Sequence, residues 1–79
     1  MAKVLLFGPL RDLAGWRARD IEAESLSTLK ATLAGEDSAL GEALSAPGVQ
    51  VAVDQALTRG DAKLAPAAEV AFLPPMSGG

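Results

Sequence analysis

The sequence predicts an α+β fold in which a mixed β-sheet packs on one main helix. Three observations support this prediction. Val49, Val51 and Val53 alternate with other residues, as in a half-buried strand. Leu29 and Leu33 recur at the i, i+4 spacing of one helix face. Short apolar runs lie near both ends of the chain, so strands are expected on either side of a helical middle.

The N-terminal part of the chain predicts two strands separated by a short helix. Residues 3–7 form an apolar run that a Gly-Pro pair ends, which indicates a strand. Residues 10–14 suit one or two helical turns, which Gly15 stops. Residues 17–24 alternate imperfectly between charged and apolar side chains. They predict a second, more exposed strand that pairs with the first.

The middle of the chain predicts helices. Ser25 or Ser27 can cap the main helix. Gly35 is expected to interrupt this helix, and Ser38 to cap a further turn or two. A Pro-Gly pair at 47–48 closes the helical region.

The C-terminal part predicts three strands. A tight turn at 54–55 leads from the alternating valines into a short strand at 56–58, which makes a hairpin. Residues 65–68 read as a loop, and residues 69–73 as the last strand. Pro74 ends that strand because proline cannot donate to a ladder. The first and last strands are expected to be neighbours at the centre of the sheet.

Strand alternation sorts the side chains into two faces. One face is expected to pack on Leu29 and Leu33: Val4, Leu6, Val51, Val53, Val70 and Phe72. The other face has no second helix layer in this arrangement: Leu5, Phe7, Ala52, Ala71 and Leu73. An uncovered apolar strip of this kind predicts a surface on which a partner protein docks.

Composition excludes several function classes. The 79 residues include no cysteine and no histidine, so a thiol nucleophile, a disulfide, a histidine base and a Cys/His metal site are excluded. The net charge of -3 argues against binding to nucleic acid or to an anionic membrane. No apolar run is long enough to span a membrane. We expect one small cytoplasmic domain that binds no metal and no cofactor and has no catalytic activity alone.

The C-terminus is the most informative segment. Gly78 and Gly79 follow an apolar stretch stiffened by two prolines. Glycine has no Cβ, so such a terminus can enter a narrow channel and present a bare carboxylate there. A carboxylate is inert toward nucleophiles until it is activated, commonly as an acyl adenylate. The sequence predicts a globular domain at 1–73 and a flexible tail at 74–79, which spans roughly 20 Å when extended.

Motifs along the whole chain resemble the family of small, sulfur-carrier subunits of molybdopterin synthase. The most specific match is the ending, Glu-Val-Ala-Phe-Leu-Pro-Pro-Met-Ser-Gly-Gly at 69–79. Three other segments support it in the same order, at 3–7, 10–15 and 51–55. The chain departs from many relatives at Asp54, where they have Asn, and at 66–68, where they have a Gly-Asp turn. The resemblance implies a ubiquitin-like β-grasp fold.

The resemblance also implies a reaction and its partners. An adenylyltransferase related to ubiquitin-activating enzymes would use ATP to adenylate the carboxylate of Gly79. A sulfur donor would then convert it to a thiocarboxylate. The tail would enter the large catalytic subunit of molybdopterin synthase, in a heterotetramer, and deliver sulfur to cyclic pyranopterin monophosphate. This chain itself would bind neither ATP nor any other cofactor.

The same resemblance assigns roles to individual residues. Gly79, with Gly78 before it, would be the reactive end of the tail. Arg11 matches a position that contacts the adenylating partner. The remaining positions implied to bind partners are Phe7, Leu57, Leu73, Pro74, Pro75, Met76 and Ser77.

Other functions remain open at this point. A sulfur carrier for thiamine thiazole synthesis shares the fold, the Gly-Gly end and the activation step. The block from Phe7 to Leu13 and the Phe-Leu-Pro-Pro segment favour the molybdopterin carrier. A ubiquitin-like modifier would use the same adenylate but end joined to a lysine of a target protein. A β-grasp interaction module would use no tail chemistry at all.

Overall fold

The structure, a computed structural model, describes residues 1–75 and contains the predicted elements in the predicted order. In the described part of the chain, no helix is both long and apolar enough to cross a bilayer. The strands and helices are β1 (Ala2–Leu6), α1 (Pro9–Ala14), β2 (Ala18–Ile21), α2 (Leu26–Glu36), α3 (Ser38–Leu44), β3 (Gln50–Val53), β4 (Ala56–Thr58) and β5 (Glu69–Leu73).

Within residues 1–75, the strands form one mixed sheet in the order β2-β1-β5-β3-β4. The first and last strands are central neighbours, as predicted, and they run parallel. The other pairs are antiparallel. Because β5 has a partner on each side, the last strand of the sequence lies in the middle of the sheet.

The core lies between one face of this sheet and the helices. Val4, Val70 and Phe72 are completely buried on the sheet side. Leu29 and Leu33 of α2 are buried in the same cluster, so the predicted packing is confirmed. Val53 is only half-buried, because it precedes the turn at the end of its strand.

The helical region differs from the sequence prediction at its centre. Of the two predicted candidates, Ser25 caps α2, its Oγ accepting a hydrogen bond from the backbone N–H of Thr28 at 3.2 Å. Gly35 does not interrupt the helix, which continues to Glu36. Asp37, and not Ser38, caps α3, since its carboxylate accepts from the N–H of Leu40 at 3.2 Å. A glycine in the last turn of a helix costs little, whereas a new cap needs a side-chain acceptor.

The second strand is shorter than the predicted 17–24 because its partner runs out. Ile21 pairs with Ala2, the first residue of β1, so residues beyond it have no strand to join on that side. The chain turns instead toward the connection between β4 and β5. There the N–H of Leu64 donates to the carbonyl of Glu24 at 2.9 Å, and the N–H of Leu26 to that of Ala62 at 2.8 Å.

The predicted tight turn between β3 and β4 is present. Asp54 and Gln55 both have positive φ, 50° and 70°, as the two central residues of a type I′ hairpin require. The Asp54 carboxylate also accepts a hydrogen bond from the N–H of Glu69 at 2.9 Å. The aspartate that departs from the pattern of many relatives therefore ties this hairpin to the start of β5.

Asp61 is expected to make stability depend on pH. Its carboxylate accepts hydrogen bonds from the N–H and Oγ of Ser27 and from the N–H of Ala62, which lower the pKa of Asp61. Because these hydrogen bonds favour the ionised carboxylate in the folded state, its full contribution to stability is present at pH values above the unfolded-state pKa of about 3.9. This contribution disappears as pH falls through the lower folded-state pKa.

We expect Asp61→Asn to lower the midpoint temperature of unfolding at neutral pH. The difference in midpoint from the wild-type chain should become smaller in acid. Thermal unfolding measured from pH 7 down to the acid range tests this. Ser27→Ala, which removes one of the three hydrogen bonds, should lower the midpoint by less, and this loss should also become smaller as the pH falls. A deficit that stays constant with pH would contradict the assignment.

Candidate functional site

The sheet face turned away from the core carries a continuous row of apolar side chains. Neighbouring strands pair so that these residues stand side by side in the order Ala18, Leu5, Ala71, Ala52 and Leu57. Each is half-buried or exposed, in contrast to the buried residues that alternate with them. We call this row, together with Phe7 and Leu73, the open face. It follows the strand parity predicted from the sequence.

Phe7 and Leu73 lie at the edge of the open face from which the tail leaves. Leu6 pairs with Phe72 in the two parallel strands, so the next residue of each strand lies at the same edge. Phe7 falls just beyond β1, although the sequence predicts it as the end of that strand. Its side chain is 45% exposed, while Leu73 is half-buried. The tail therefore begins beside an exposed aromatic ring.

Arg11 lies on α1, next to this edge. Helix α1 begins at Pro9, one residue before the predicted start, and Gly15 ends it in the left-handed conformation, as predicted. The Nε of Arg11 is 3.8 Å from a carboxylate oxygen of Asp12, with both side chains exposed. An exposed ion pair of this kind is weak, so the guanidinium of Arg11 remains free to bind another protein.

Arg17 was missed by reasoning from the sequence. Arg17 and Arg11 line a surface depression of about 270 Å³ together with Leu5 and Phe7. The carbonyl of Arg17 accepts a hydrogen bond from the N–H of Leu6 at 2.9 Å, which fixes its place beside β1. The only sequence signal was its position at the start of an edge strand, which does not reveal its neighbour across the sheet. The edge is thus apolar with two cations.

Leu57 lies at the opposite side of the open face. It is 65% exposed on the edge strand β4, where it pairs with Ala52. Three strand spacings, about 14 Å, separate β4 from β1. Leu57 also borders a groove of about 340 Å³ that Lys30 and Arg59 line. Phe7 and Leu57 therefore lie on the same face but are too far apart to contact each other.

The tail itself is described only at its beginning. Pro74 is half-buried and Pro75 is exposed. The four remaining predicted site residues lie outside the described residues: Met76, Ser77, Gly78 and Gly79. In residues 1–75, no group of three or more acidic side chains is close enough to hold a metal ion.

The sheet order and the helix packed on one face define the β-grasp, ubiquitin-like class. The fold is similar to the crystal structure of SAMP1 from Haloferax volcanii, with a TM-score of 0.79. The alignment covers 99% of this chain and 98% of that chain at 23% sequence identity, so it bears on the fold alone. The predicted fold class is confirmed.

The chain belongs to the ThiS family, whose sequence profile matches residues 4–79. It is also 35% identical over 81 aligned positions to the molybdopterin synthase sulfur carrier subunit of Escherichia coli (strain K12). That alignment covers the full length of both chains. The resemblance stated from the motifs is therefore confirmed, while the roles of individual residues remain predictions.

Proposed function

We propose that this chain is a sulfur carrier for molybdenum cofactor synthesis. The proposal is supported by its membership of the ThiS family and by its full-length similarity to a molybdopterin synthase sulfur carrier subunit. The observation that carries it is the path of the C-terminus. The central strand β5 ends at the edge of the open face and continues there into Pro74 and Pro75, which Met-Ser-Gly-Gly follows in the sequence.

This arrangement suits a carrier because docking and delivery use different parts of one chain. The open face offers apolar area to a partner, and Arg11 and Arg17 offer charge beside it. The tail starts at the same edge, so a partner that covers Phe7 lies next to the start of the tail. From Leu73, the last six residues reach up to roughly 20 Å. A docked partner can therefore bind the carboxylate in a buried site.

The proposed chemistry begins with adenylation by a separate enzyme. A carboxylate oxygen of Gly79 attacks the α-phosphorus of ATP, and pyrophosphate leaves. A persulfide of the sulfur donor then attacks the carbonyl carbon and displaces AMP, which gives an acyl disulfide. A thiol reduces the sulfur–sulfur bond and forms a disulfide with the donor, leaving the thiocarboxylate on Gly79. The chain supplies the acyl group, and its partners supply every other reactive group.

The second part of the proposal concerns delivery. The loaded tail enters the large catalytic subunit of molybdopterin synthase, in a heterotetramer with two carrier chains. Its sulfur bonds to cyclic pyranopterin monophosphate, and water then cleaves the bond between that sulfur and the carbonyl carbon of Gly79, which regenerates the carboxylate. The product carries a dithiolene group, which contains two sulfur atoms, so two loaded tails are consumed for each product. The carrier has no activity alone in this scheme.

Intact-mass measurement of the full chain tests the proposal. The chain is incubated with ATP, the adenylyltransferase and a persulfide donor, and then with the large subunit and the pterin precursor. We expect a mass rise corresponding to one oxygen replaced by sulfur, lost again in the second step. If the chain gains sulfur in the first step but keeps it when the large subunit and the pterin precursor are added, the thiazole carrier would be favoured. A series of larger conjugates would favour a protein modifier.

Phe7→Glu is expected to weaken binding to both partners at least tenfold, because it places a charge on the open face. Titration calorimetry with each partner measures this. The fold should remain intact, since the ring is already 45% exposed. Leu13→Glu is a matched control, because Leu13 is 47% exposed on α1 but lies off the open face. Unfolding of Phe7→Glu would place the ring in the core instead.

A further inference from the structure

Two loops flank the point at which the tail leaves the sheet. Strand β5 lies between β1, which runs parallel to it, and β3, which runs antiparallel. The end of β1 and the beginning of β3 therefore lie at the same edge as the end of β5. Gly8 comes two residues after β1, and Gly48 two residues before β3. The first residues of the tail pass between these two glycines.

Both glycines are in close contact with the tail prolines. A Cβ atom added to Gly8 would lie 3.2 Å from Cγ of Pro74. A Cβ atom added to Gly48 would lie 3.0 Å from Cβ and 3.7 Å from Cα of Pro75. The tight contact is the one to Cβ, which the pyrrolidine ring fixes to the backbone, so it cannot turn aside as the end of a long side chain can. A side chain at position 48 would therefore displace Pro75 by a few tenths of an ångström.

Conformation alone does not explain this arrangement. Gly8 and Gly48 have φ values of 57° and 90°, which favour glycine. Gly15 and Gly60 have φ values of 84° and 71°, yet a Cβ added to either would have no neighbour within 4 Å. At Gly8 and Gly48 the missing side chain also leaves room for the tail. This second requirement separates them from the other two turn glycines.

We propose that Gly8 and Gly48 form an exit notch that sets the direction in which the tail leaves the domain. They are positioning residues for tail activation, so their kinetic role rests on the proposed function. Pro74 and Pro75 lack backbone N–H groups, so hydrogen bonds from the prolines' own amides cannot hold this segment. Its direction is set by contact with the glycines. Proline also restricts its own φ and the conformation of the residue before it, so the direction is retained along the pair.

A small change of direction at the notch has a large effect at the tip. Four residues follow Pro75 and span up to about 14 Å if a partner holds them extended. A shift of Pro75 by a few tenths of an ångström, a tilt of about 5° over one residue, then moves the last residue by about 1 Å. A displacement of 1 Å can cost about a hundredfold in rate when it misplaces reacting groups. The notch therefore sets the point and the direction from which the tail starts toward a partner already bound to the open face.

The first arm of the test uses the isolated chain and needs no partner. Nuclear Overhauser effects should connect the α-protons of Gly48 to the ring protons of Pro75, and those of Gly8 to Pro74. In the Gly48→Ala variant the added methyl group should move Pro75 and change the pattern and intensity of the signals around its ring. Gly60→Ala introduces the same left-handed strain without the contact, and should keep both signals. Absence of these signals in the wild-type chain would overturn the proposal.

The second arm measures thiocarboxylate formation by the adenylyltransferase. We expect Gly48→Ala to lower kcat at least tenfold with little change in KM, because the open face is untouched. Gly60→Ala should change kcat by less than twofold. Equal losses in both variants would show that backbone strain, not the notch, is responsible. If Gly48→Ala does not fold, Gly8→Ala, with its longer contact, is measured in its place.

The two arms separate this inference from the proposed function. If the wild-type chain shows the contacts but is never loaded with sulfur, the proposed function fails while the exit notch remains. If it is loaded but shows no contacts, the notch fails while the proposed function remains.

Discussion

Deletion of Gly79 is expected to abolish thiocarboxylate formation while leaving the free energy of unfolding nearly unchanged. The shortened tail would end at Gly78, roughly 3.5 Å short of the site where the carboxylate must meet ATP. Catalysis tolerates only much smaller displacements of the reacting atoms than this. Stability should not change, because the last strand ends at Leu73 and the buried core of residues 1–75 ends at Phe72. Intact mass after loading and a chemical unfolding curve measure the two effects.

Addition of a leucine after Gly79 should be equally inactive, since it moves the carboxylate and adds a side chain to a narrow channel. A leucine added before Met1 changes the chain length equally, at a residue that is 67% exposed, and should be loaded normally. Full sulfur transfer by either C-terminal variant would refute the proposed role of Gly79.

Leu33→Ala is expected to destabilise the fold by about 2–5 kcal/mol. Leu33 is 1% exposed, and it packs in the single cluster of buried residues that the described chain contains. Truncation removes buried methyl groups and leaves a cavity that a small domain can fill only in part. Because small domains are marginally stable, this is a large share of the total. Leu29→Ala, at a fully buried position one turn earlier, should behave alike.

Urea unfolding followed by circular dichroism gives these free energies. Leu57→Ala serves as the control, since it removes the same atoms from a side chain that is 65% exposed. Losses within error for both helix variants would mean that α2 does not pack on the sheet as described.

The elements that sequence reasoning predicted well are those set by local pattern. Alternation in β1, β3 and β5 determines which side chains face the helix, because successive residues of a strand point to opposite faces. The turn at 54–55 was predictable because two short strands surround it, and the observed positive φ values close the hairpin. Ser25 was predictable as a cap because its side chain satisfies an amide three residues away.

The features that could not be predicted depend on contacts between distant parts of the chain. Ser27 and Asp61 are 34 positions apart, and only the folded connection brings the amide to the carboxylate. The end of β2 was misplaced because its length depends on where β1 begins. Arg17 and Gly48 became visible only when the sheet brought them beside Phe7 and Pro75. A one-dimensional pattern does not contain these distances.

The central position of β5 has a consequence for incomplete chains. A chain cut before this strand lacks the partner of both β1 and β3, so it loses the middle of its sheet and cannot persist as a folded product. A chain cut just after Leu73 keeps the whole sheet and the open face, so under the proposed function it would still dock but would have nothing to deliver. Damage to the last few residues would then create a competitor that occupies partners, whereas damage a few residues earlier would create only a substrate for proteolysis.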